Sequence, residues 1–479
     1  MADGDVAGGR AVMDCLLEID GTVQGVGFRP FVARLAVARG VRGWVCNDGR
    51  GVLIRAAAPP DAFRAFVADL TRLAPPAARV GAVRVREEPA EWPAPPVRPD
   101  AGFVILASAA AGAAPVAAVP PDLALCPDCR RELRDPANRR AAYPFINCTQ
   151  CGPRYSILVA LPYDRTRTTM AGFALCPECR REYDDPADRR FHAEPNACPV
   201  CGPQLEFQEA AAGGRAGRAA ALAAAAAALR GGRIVAVKGL GGFHLLVDAG
   251  NEAAVTELRR RKRRDEKPLA VMFPSLAALR AEAEVSAAEE AWLVAPAAPI
   301  VLLRRRRESQ LAAGIAPGNP WIGALLPYSP LHELLLAAVG RPLVATSGNR
   351  AEEPLCVDNA EAHRRLAGIA DAFLWHDRPI ARAVDDSVLR AEGGEVVLLR
   401  RARGFAPAPL RLPADAADGE PLLAVGGQAR NTVAMTVGSN LVLSPHLGDL
   451  DSPLAREAQR RAVELLVSLH GRPPARRGL

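Results

Sequence analysis

LALCPDCRRELRDPANRR (residues 123–140) and FALCPECRREYDDPADRR (173–190) are two copies of one unit, and each is closed by a second cysteine pair, in CGPR (151–154) and CGPQ (201–204). Cys126, Cys129, Cys148 and Cys151 therefore read C-x2-C-x18-C-x2-C, and Cys176, Cys179, Cys198 and Cys201 repeat that spacing. A tetrahedral zinc ion takes four thiolates, and each C-x2-C turn delivers two. The block predicts two structural four-cysteine Zn2+ sites, either separate or with knuckles exchanged between the copies. Four protein ligands leave no open position for a substrate, so the metal serves the fold. Sites of this kind can supply about 10–16 kcal/mol of folding free energy, enough to support a loop-rich module with little core. A disulfide framework is the alternative, but nothing else in the chain has the character of a secreted protein.

Around this block the chain divides. Its 479 residues allow roughly three domains, and 49% hydrophobic residues provide for sizeable cores. The amino terminus has no charged-then-apolar signal pattern. The longest apolar run (219–228) is alanine-rich, too short to cross a bilayer, and reads as part of a surface helix. Cytoplasmic residence with no membrane association is expected, and reduced thiols suit zinc. The net charge of +7 is a mild excess that fits phosphorylated substrates. Cys15, Cys46 and Cys356, outside the block, read as buried thiols.

Residues 12–90 alternate as strand, helix, strand, DGRG hairpin, strand, helix and strand, which is the split βαβ or ferredoxin-like order. A Pro/Ala-rich linker (89–121) leads to the cysteine module (120–205). Residues 217–405 mix strands and helices as an α/β domain. Residues 420–479 open with Gly-turned strands and close on a helix near 453–470. Some 60 residues cannot bury a large core, so this piece is expected to be incomplete.

Two segments carry chemistry. Gly21-Thr-Val-Gln-Gly-Val-Gly-Phe-Arg29 joins the first strand to the first helix. Glycines there let backbone N–H groups converge, and the helix N-terminus adds positive potential, a combination that suits an anion. Arg29 offers a planar fork for two phosphate oxygens, and Asn47 can hold a water. No acidic or histidine base is evident beside them. The second segment is a set of three clusters: Lys238-Gly-Leu-Gly-Gly-Phe-His244, RRRKRRDEKPLAVM (259–272) and ATSGNRAEEP (345–354). Gly-rich turns, cations and hydroxyls are what a triphosphate and a small carboxylate require. The basic run could equally complement a helix dipole or contact nucleic acid. His244 reads as structural, and RRRR (304–307) as a solvated face.

The string at 21–29 with Asn47 closely resembles the acylphosphatases. The resemblance implies a ferredoxin-like domain in which Gln24, Gly25, Val26, Gly27 and Phe28 cradle phosphate, Arg29 binds it and Asn47 positions the attacking water. The second set resembles the YrdC-like family, which makes carbamoyl-type adenylates from ATP. It carries K-x-R-x-x-K-P (Lys262, Arg264, Lys267, Pro268), the Thr346-Ser347-Gly348-Asn349 loop and HDRPIARAVDDSV (376–388). This implies ATP with Mg2+ as substrate, bound with the small acid by Lys238, Lys262, Arg264 and Lys267. Thr346, Ser347 and Asn349 would line the pocket, joined by Arg382 and Ser387.

The order of modules resembles the hydrogenase-maturation carbamoyltransferases, the HypF family, across nearly the whole chain. That resemblance implies cleavage of carbamoyl phosphate, formation of carbamoyl adenylate with ATP, and transfer of the carbamoyl group to the C-terminal cysteine of HypE for cyanide-ligand synthesis. The family's last domain carries an H-x-x-x-H metal motif, and no two of the seven histidines here stand four apart. The chain is thus expected to be a fragment, a shifted reading frame or half of a split protein, with the first two steps possible and the final transfer to HypE in doubt. Two other readings compete. A threonylcarbamoyl-adenylate synthase of tRNA modification needs neither the phosphate cradle nor the cysteine pairs. A non-catalytic zinc or nucleic-acid-binding protein should be richer in stacking aromatics than the 5% present.

Overall fold

A computed structural model describes residues 12–48, 51–86, 102–107, 118–211, 214–393, 395–413, 420–470 and 476–478. The tip of the DGRG hairpin (Gly49, Arg50), the last residues of the expected first domain (87–90) and most of the Pro/Ala linker lie outside them.

The amino-terminal domain has the order β1 (Met13–Thr22), α1 (Phe28–Ala38), β2 (Arg42–Asn47), β3 (Val52–Ala58), α2 (Pro60–Arg72) and β4 (Arg79–Arg86). Its sheet runs β4-β1-β3-β2 and gains a further edge strand, β5 (Phe103–Ile105), parallel to β2. That strand falls in the stretch read as linker, where three residues among Pro and Ala are too few to show a period. Helix α2 has Pro60 at its first turn and buries Phe63, Phe66 and Leu70 on one stripe. These pack with Leu17, Ile19, Val32, Val45 and Ile54 in a core between helices and sheet.

In the cysteine module each repeat starts a two-turn helix, α3 (Pro127–Arg134) and α4 (Pro177–Asp184), with the first cysteine as N-cap and Pro next to it. The repeats face each other and exchange side chains. Arg140 of the first is buried, pairs with Glu182 of the second and donates to Ala197 O. Arg190 of the second pairs with Glu132 of the first and donates to Asn147 O.

The chain then enters a mixed sheet of eleven strands. Its elements are β6 (Leu205–Glu209), β7 (Arg215–Gly217), α5 (Arg218–Arg230), β8 (Val235–Lys238), β9 (Phe243–Asp248), α6 (Glu252–Lys262), β10 (Ala270–Met272), α7 (Leu276–Glu282), α8 (Ala287–Leu293), β11 (Ile300–Arg304), β12 (Trp321–Leu325), α9 (Pro330–Val339), β13 (Leu343–Ser347), α10 (Asn359–Leu366), β14 (Ala372–His376), β15 (Val388–Glu392) and β16 (Glu395–Arg400). The order is β16-β15-β11-β12-β10-β13-β9-β8-β14-β6-β7, with a buried core on each face. Helix α5 is the alanine run, and it differs from the surface helix expected. Ala221, Ala225, Ala226, Ala228 and Leu229 are buried, because small side chains let it lie close to α9 and β6.

The arginine runs are also divided by the fold. Arg305 donates to Leu311 O and Ala312 O, and Arg306 to Arg280 O and Ala283 O, so two of the four also hold backbone carbonyls, while Arg304, Arg306 and Arg307 are exposed as a solvated face should be. The carboxy-terminal piece is a small sheet, β17 (Leu410–Arg411), β18 (Leu422–Ala424), β19 (Ala434–Val437), β20 (Asn440–Leu443) and β21 (Arg476–Gly478), crossed by α11 (Pro453–His470). Leu469 of α11 packs with Tyr155 and Tyr163 of the cysteine module.

Candidate functional site

The eight cysteines form two clusters, one per repeat: Cys126, Cys129, Cys148 and Cys151, and Cys176, Cys179, Cys198 and Cys201. The exchange of knuckles left open by the spacing does not occur. Neighbouring sulfurs lie 3.7 and 3.9 Å apart in the first cluster and 3.7 and 3.8 Å in the second. A tetrahedron of sulfurs about 2.3 Å from a central Zn2+ has edges of about 3.8 Å, so the donor set fits that ion, and all eleven cysteines are free thiols. Arginines cross between the repeats to these sulfurs. Arg189 donates to Cys129 Sγ at 3.2 Å, while Arg139 and Arg140 donate to Cys179 Sγ at 3.2 and 3.3 Å. Such partners offset the negative charge of a four-thiolate centre.

The Gly21–Arg29 loop, expected to cradle phosphate, lies directly against the first cluster. Gly25 and Gly27 have φ of +66° and +72°, and a Cβ on either would meet atoms of the cysteine module: the Tyr163 ring at 2.8 Å and Gln150 Nε2 at 2.7 Å respectively. Gln150 donates to Val26 O at 3.0 Å. Arg154 is fully buried and ties the loop to the knuckle: its guanidinium donates to Gly25 O at 2.5 Å and to the carbonyls of Cys148, Thr149, Cys151 and Pro153. The N–H groups ahead of α1 have no intrahelical acceptor and can meet an anion. Phe28 is buried in the domain core. Gln24 spans the hairpin instead, donating to Asp48 O and Gly51 O at 2.8 Å each. Asn47 is fully buried and neither of its amide atoms has a hydrogen-bond partner. Buried polar atoms are costly without a partner, so the pair fits a bound water or anion.

Arg29 faces two carboxylates that the sequence did not reveal: Glu194 Oε1 at 3.8 Å and Asp164 Oδ1 at 4.0 Å. Both come from the cysteine module, more than a hundred residues away, and no local pattern marks them. Burial pushes the Glu194 carboxyl up to about 7, with Arg29 opposing the shift. Burial pushes His192 nearby down to about 4, Arg29 adding to the effect.

In the α/β domain the basic run serves several purposes. Arg259 is buried and braces the following turn through the carbonyls of Arg264, Asp265 and Ile315. Arg260 and Arg261 pair with Glu257, and Arg261 also reaches Asp371 at 2.7 Å. Lys262 Nζ donates to Ser347 O and, at 3.0 Å, to Asn349 Oδ1. Burial draws Lys262 down to about 7, and Arg264 adds to the shift. Arg264, Lys267, Thr346 and Ser347 line one cleft together with Asp385, Asp386 and Arg400. Arg264 is brought down to about 10 by burial and by Arg259. Arg400 pairs with Asp385 at 2.6 Å, whereas Arg264 and Lys267 have no carboxylate ion pair among the described residues, so their side of the cleft favours an anionic occupant.

Three expected residues lie elsewhere. Lys238 lines a second, inner cavity with Arg378, His376 and the segment Cys151–Pro153 of the first repeat. Arg382 stacks on Tyr155 and donates to Tyr155 O and Val159 O, docking the domain on the cysteine module. Ser387 is fully buried and bonds Arg403 O and Ala402 N. Between the two cavities stands a buried cluster: Arg403 donates to Asp386 Oδ1 at 2.8 Å and covers the Tyr328 ring, while His244 Nε2 lies 3.1 Å from Asp386 Oδ2. His244 thus hydrogen-bonds Asp386 beside the cleft, a contact that fits its reading as a structural residue.

Comparison with known proteins follows these divisions. Family models match residues 15–95 (Acylphosphatase), 125–158 and 175–208 (HypF finger), 227–402 (Telomere recombination, the Sua5–YciO–YrdC model) and 417–476 (HypF Kae1-like domain). The chain is 47% identical over 458 residues to the carbamoyltransferase HypF of Synechocystis sp., covering 96% of this chain and 58% of that protein. It is 51% identical over 442 residues to the carbamoyltransferase HypF of Rhodobacter capsulatus, covering 92% and 57%. A crystal structure of full-length HypF in the phosphate- and nucleotide-bound form superposes with a TM-score of 0.89 at 41% identity, covering 97% of this chain and 59% of that one. The chain spans a little over half the length of the curated relatives it matches. No described helix is long and apolar enough to cross a membrane.

Proposed function

We propose, from the premise that this chain belongs to the HypF family, that it hydrolyses carbamoyl phosphate at the Gly21–Arg29 cradle and joins the released carbamate to ATP at the Lys267 cleft. In the first step water attacks phosphorus and the bond from phosphorus to the carbamoyl oxygen breaks. Arg29 and the loop N–H groups hold the phosphoryl oxygens, Asn47 orients the water, and no side-chain base is required of the loop itself. In the second step a carbamate oxygen attacks the α-phosphorus of Mg–ATP and pyrophosphate leaves. Lys262, Arg264 and Lys267 neutralise the phosphates, and Thr346, Ser347 and Asn349 shape the pocket. The carbamoyl group is destined for the C-terminal cysteine of HypE, in the cytoplasm. Zinc in the two clusters would cross-link the module as a rigid wall between the sites.

One observation carries the reading: the segment Cys148–Arg154 touches the cradle on one side and lines the inner cavity with Lys238 and Arg378 on the other. Carbamate is small, anionic and short-lived in water, and a path along this segment past Lys238 and Arg378 would protect it. The test is carbamoyl-phosphate-dependent ATP–pyrophosphate exchange. Exchange is expected in the full chain and lost on Arg29→Ala; exchange that persists in that variant would overturn the relay. Exchange driven by bicarbonate and threonine instead would mark a threonylcarbamoyl-adenylate synthase.

A further inference from the structure

Arg29 is the cation of the cradle, yet the carboxylates paired with it come from outside its own domain. Its side chain is 8% exposed, and that of Glu194 is 1% exposed. Glu194 is held from behind: its Oε2 accepts from Tyr183 Oη at 2.7 Å and from the Arg165 N–H at 2.8 Å. Its Oε1 is buried, has no hydrogen-bond partner and faces Arg29. The mount is firm as well. Arg165 donates to Glu194 O and Asn196 O, and Asn196 donates to Cys179 O at the second cluster.

Comparison of the two repeats supplies an independent observation. An offset of fifty positions aligns them, so Tyr183, His192 and Glu194 stand where the first repeat has Leu133, Ala142 and Pro144. His192 and Ala142 even share the same left-handed backbone, φ 51° and 52°. The copies keep the cysteines and the exchanged arginine–glutamate pairs. They differ where the second repeat faces Arg29, with polar groups in place of apolar ones. A carboxylate beside a phosphate-binding arginine opposes anion binding, since it repels the anion and competes for the same guanidinium. Its use lies in letting the anion go.

We propose that the cradle is a two-module site, in which the second cysteine repeat lends Glu194 as the resident counter-ion of Arg29, a positioning residue that holds the guanidinium between turnovers and displaces inorganic phosphate from it after hydrolysis. The inference rests on the reading of Gly21–Arg29 as the acyl phosphate site. It predicts that neutralising Glu194 tightens product binding, the opposite of what damage to a merely structural residue would do.

The experiment titrates inorganic phosphate into the zinc-loaded full chain by calorimetry at about pH 8, where Glu194 is ionised, and measures acyl phosphate hydrolysis in parallel. Glu194→Gln, which keeps the shape, is expected to bind phosphate roughly tenfold more tightly, with KM and kcat falling together as release slows. Phosphate affinity equal to or weaker than that of the parent chain overturns the proposal. If Glu194→Gln fails to fold, Tyr183→Phe carries the test: loss of the hydrogen bond weakens the carboxylate and should tighten phosphate a few-fold, and an unchanged or weaker affinity refutes the idea. Arg29→Ala separates the two levels. Phosphate binding that survives it sinks the cradle itself, whereas loss there with no effect at Glu194 sinks this inference alone.

Discussion

Replacing Arg154 with methionine should cost about 3–5 kcal/mol of unfolding free energy and weaken phosphate binding in the same variant. The guanidinium is 1% exposed and makes five hydrogen bonds, all to carbonyls: Gly25 O at 2.5 Å, Pro153 O at 2.8 Å, Cys151 O at 2.9 Å, and Cys148 O and Thr149 O at 3.0 Å. Bonds to a charged donor contribute about 1.5–3 kcal/mol each when taken singly. Their sum overstates the loss, because removing the arginine also removes the cost of keeping a charge out of water. Methionine retains part of the packing of the stem. The range of about 3–5 kcal/mol is that found when one member of a buried charged network is deleted. One of the five bonds holds Gly25 and the other four hold the knuckle, so stability and phosphate affinity should fall together. Denaturant unfolding followed by circular dichroism gives the first quantity, and phosphate titration the second. A loss under about 1 kcal/mol with unchanged phosphate affinity would refute the view that Arg154 clamps the cradle to the cysteine module.

Gly27→Ala should destabilise by about 1–3 kcal/mol and impair phosphate binding, because φ is +72° and a Cβ would sit 2.7 Å from Gln150 Nε2; unfolding midpoints and phosphate titration check both. Glu194 makes stability depend on pH. Its carboxyl titrates near 7 when folded against 4.5 ordinarily, so the folded state keeps a proton that the unfolded chain has released. Its stabilising contribution is full below about pH 4.5 and is lost as pH rises through 7, a change of about 3 kcal/mol, and unfolding curves of the parent chain and Glu194→Gln should diverge across that window. Arg189→Met removes the donor to Cys129 Sγ and should speed zinc loss from the first cluster to a chelator by about tenfold or more, while the second cluster, whose donors are Arg139 and Arg140, releases its metal at the parent rate.

Much of this was legible in the sequence because it is local. Strand and helix periods around Gly21–Arg29, and cysteines at fixed spacing, are written in consecutive residues. The thirteen-residue alanine helix was legible as a helix but not as a half-buried one, because alanine carries no amphipathic signal. Strand β5 was too short to show a period, and the runs of arginine hid a division of labour that only contacts assign: Arg259 braces a turn while Lys262 meets Asn349. The carboxylates facing Arg29 were unreadable for a deeper reason. Asp164 and Glu194 approach it only through packing of two modules; aligning the repeats shows Glu194 in place of Pro144 but not what that carboxylate faces. Likewise Lys238 and Arg382, placed by motif in one pocket, both meet the finger module instead: Lys238 lines the cavity shared with Cys151–Pro153, and Arg382 stacks on Tyr155.

The crossing of arginines between the cysteine repeats sets an order of manufacture. Cys129 belongs to the first repeat, but the guanidinium that shields its sulfur is Arg189. While the chain is being made, the first metal centre can collect its four thiolates once Cys151 has emerged from the ribosome, yet it stays electrostatically unfinished until some forty more residues have been added. Neither half of the duplication is a free-standing finger, and an isolated copy expressed alone should bind its ion loosely.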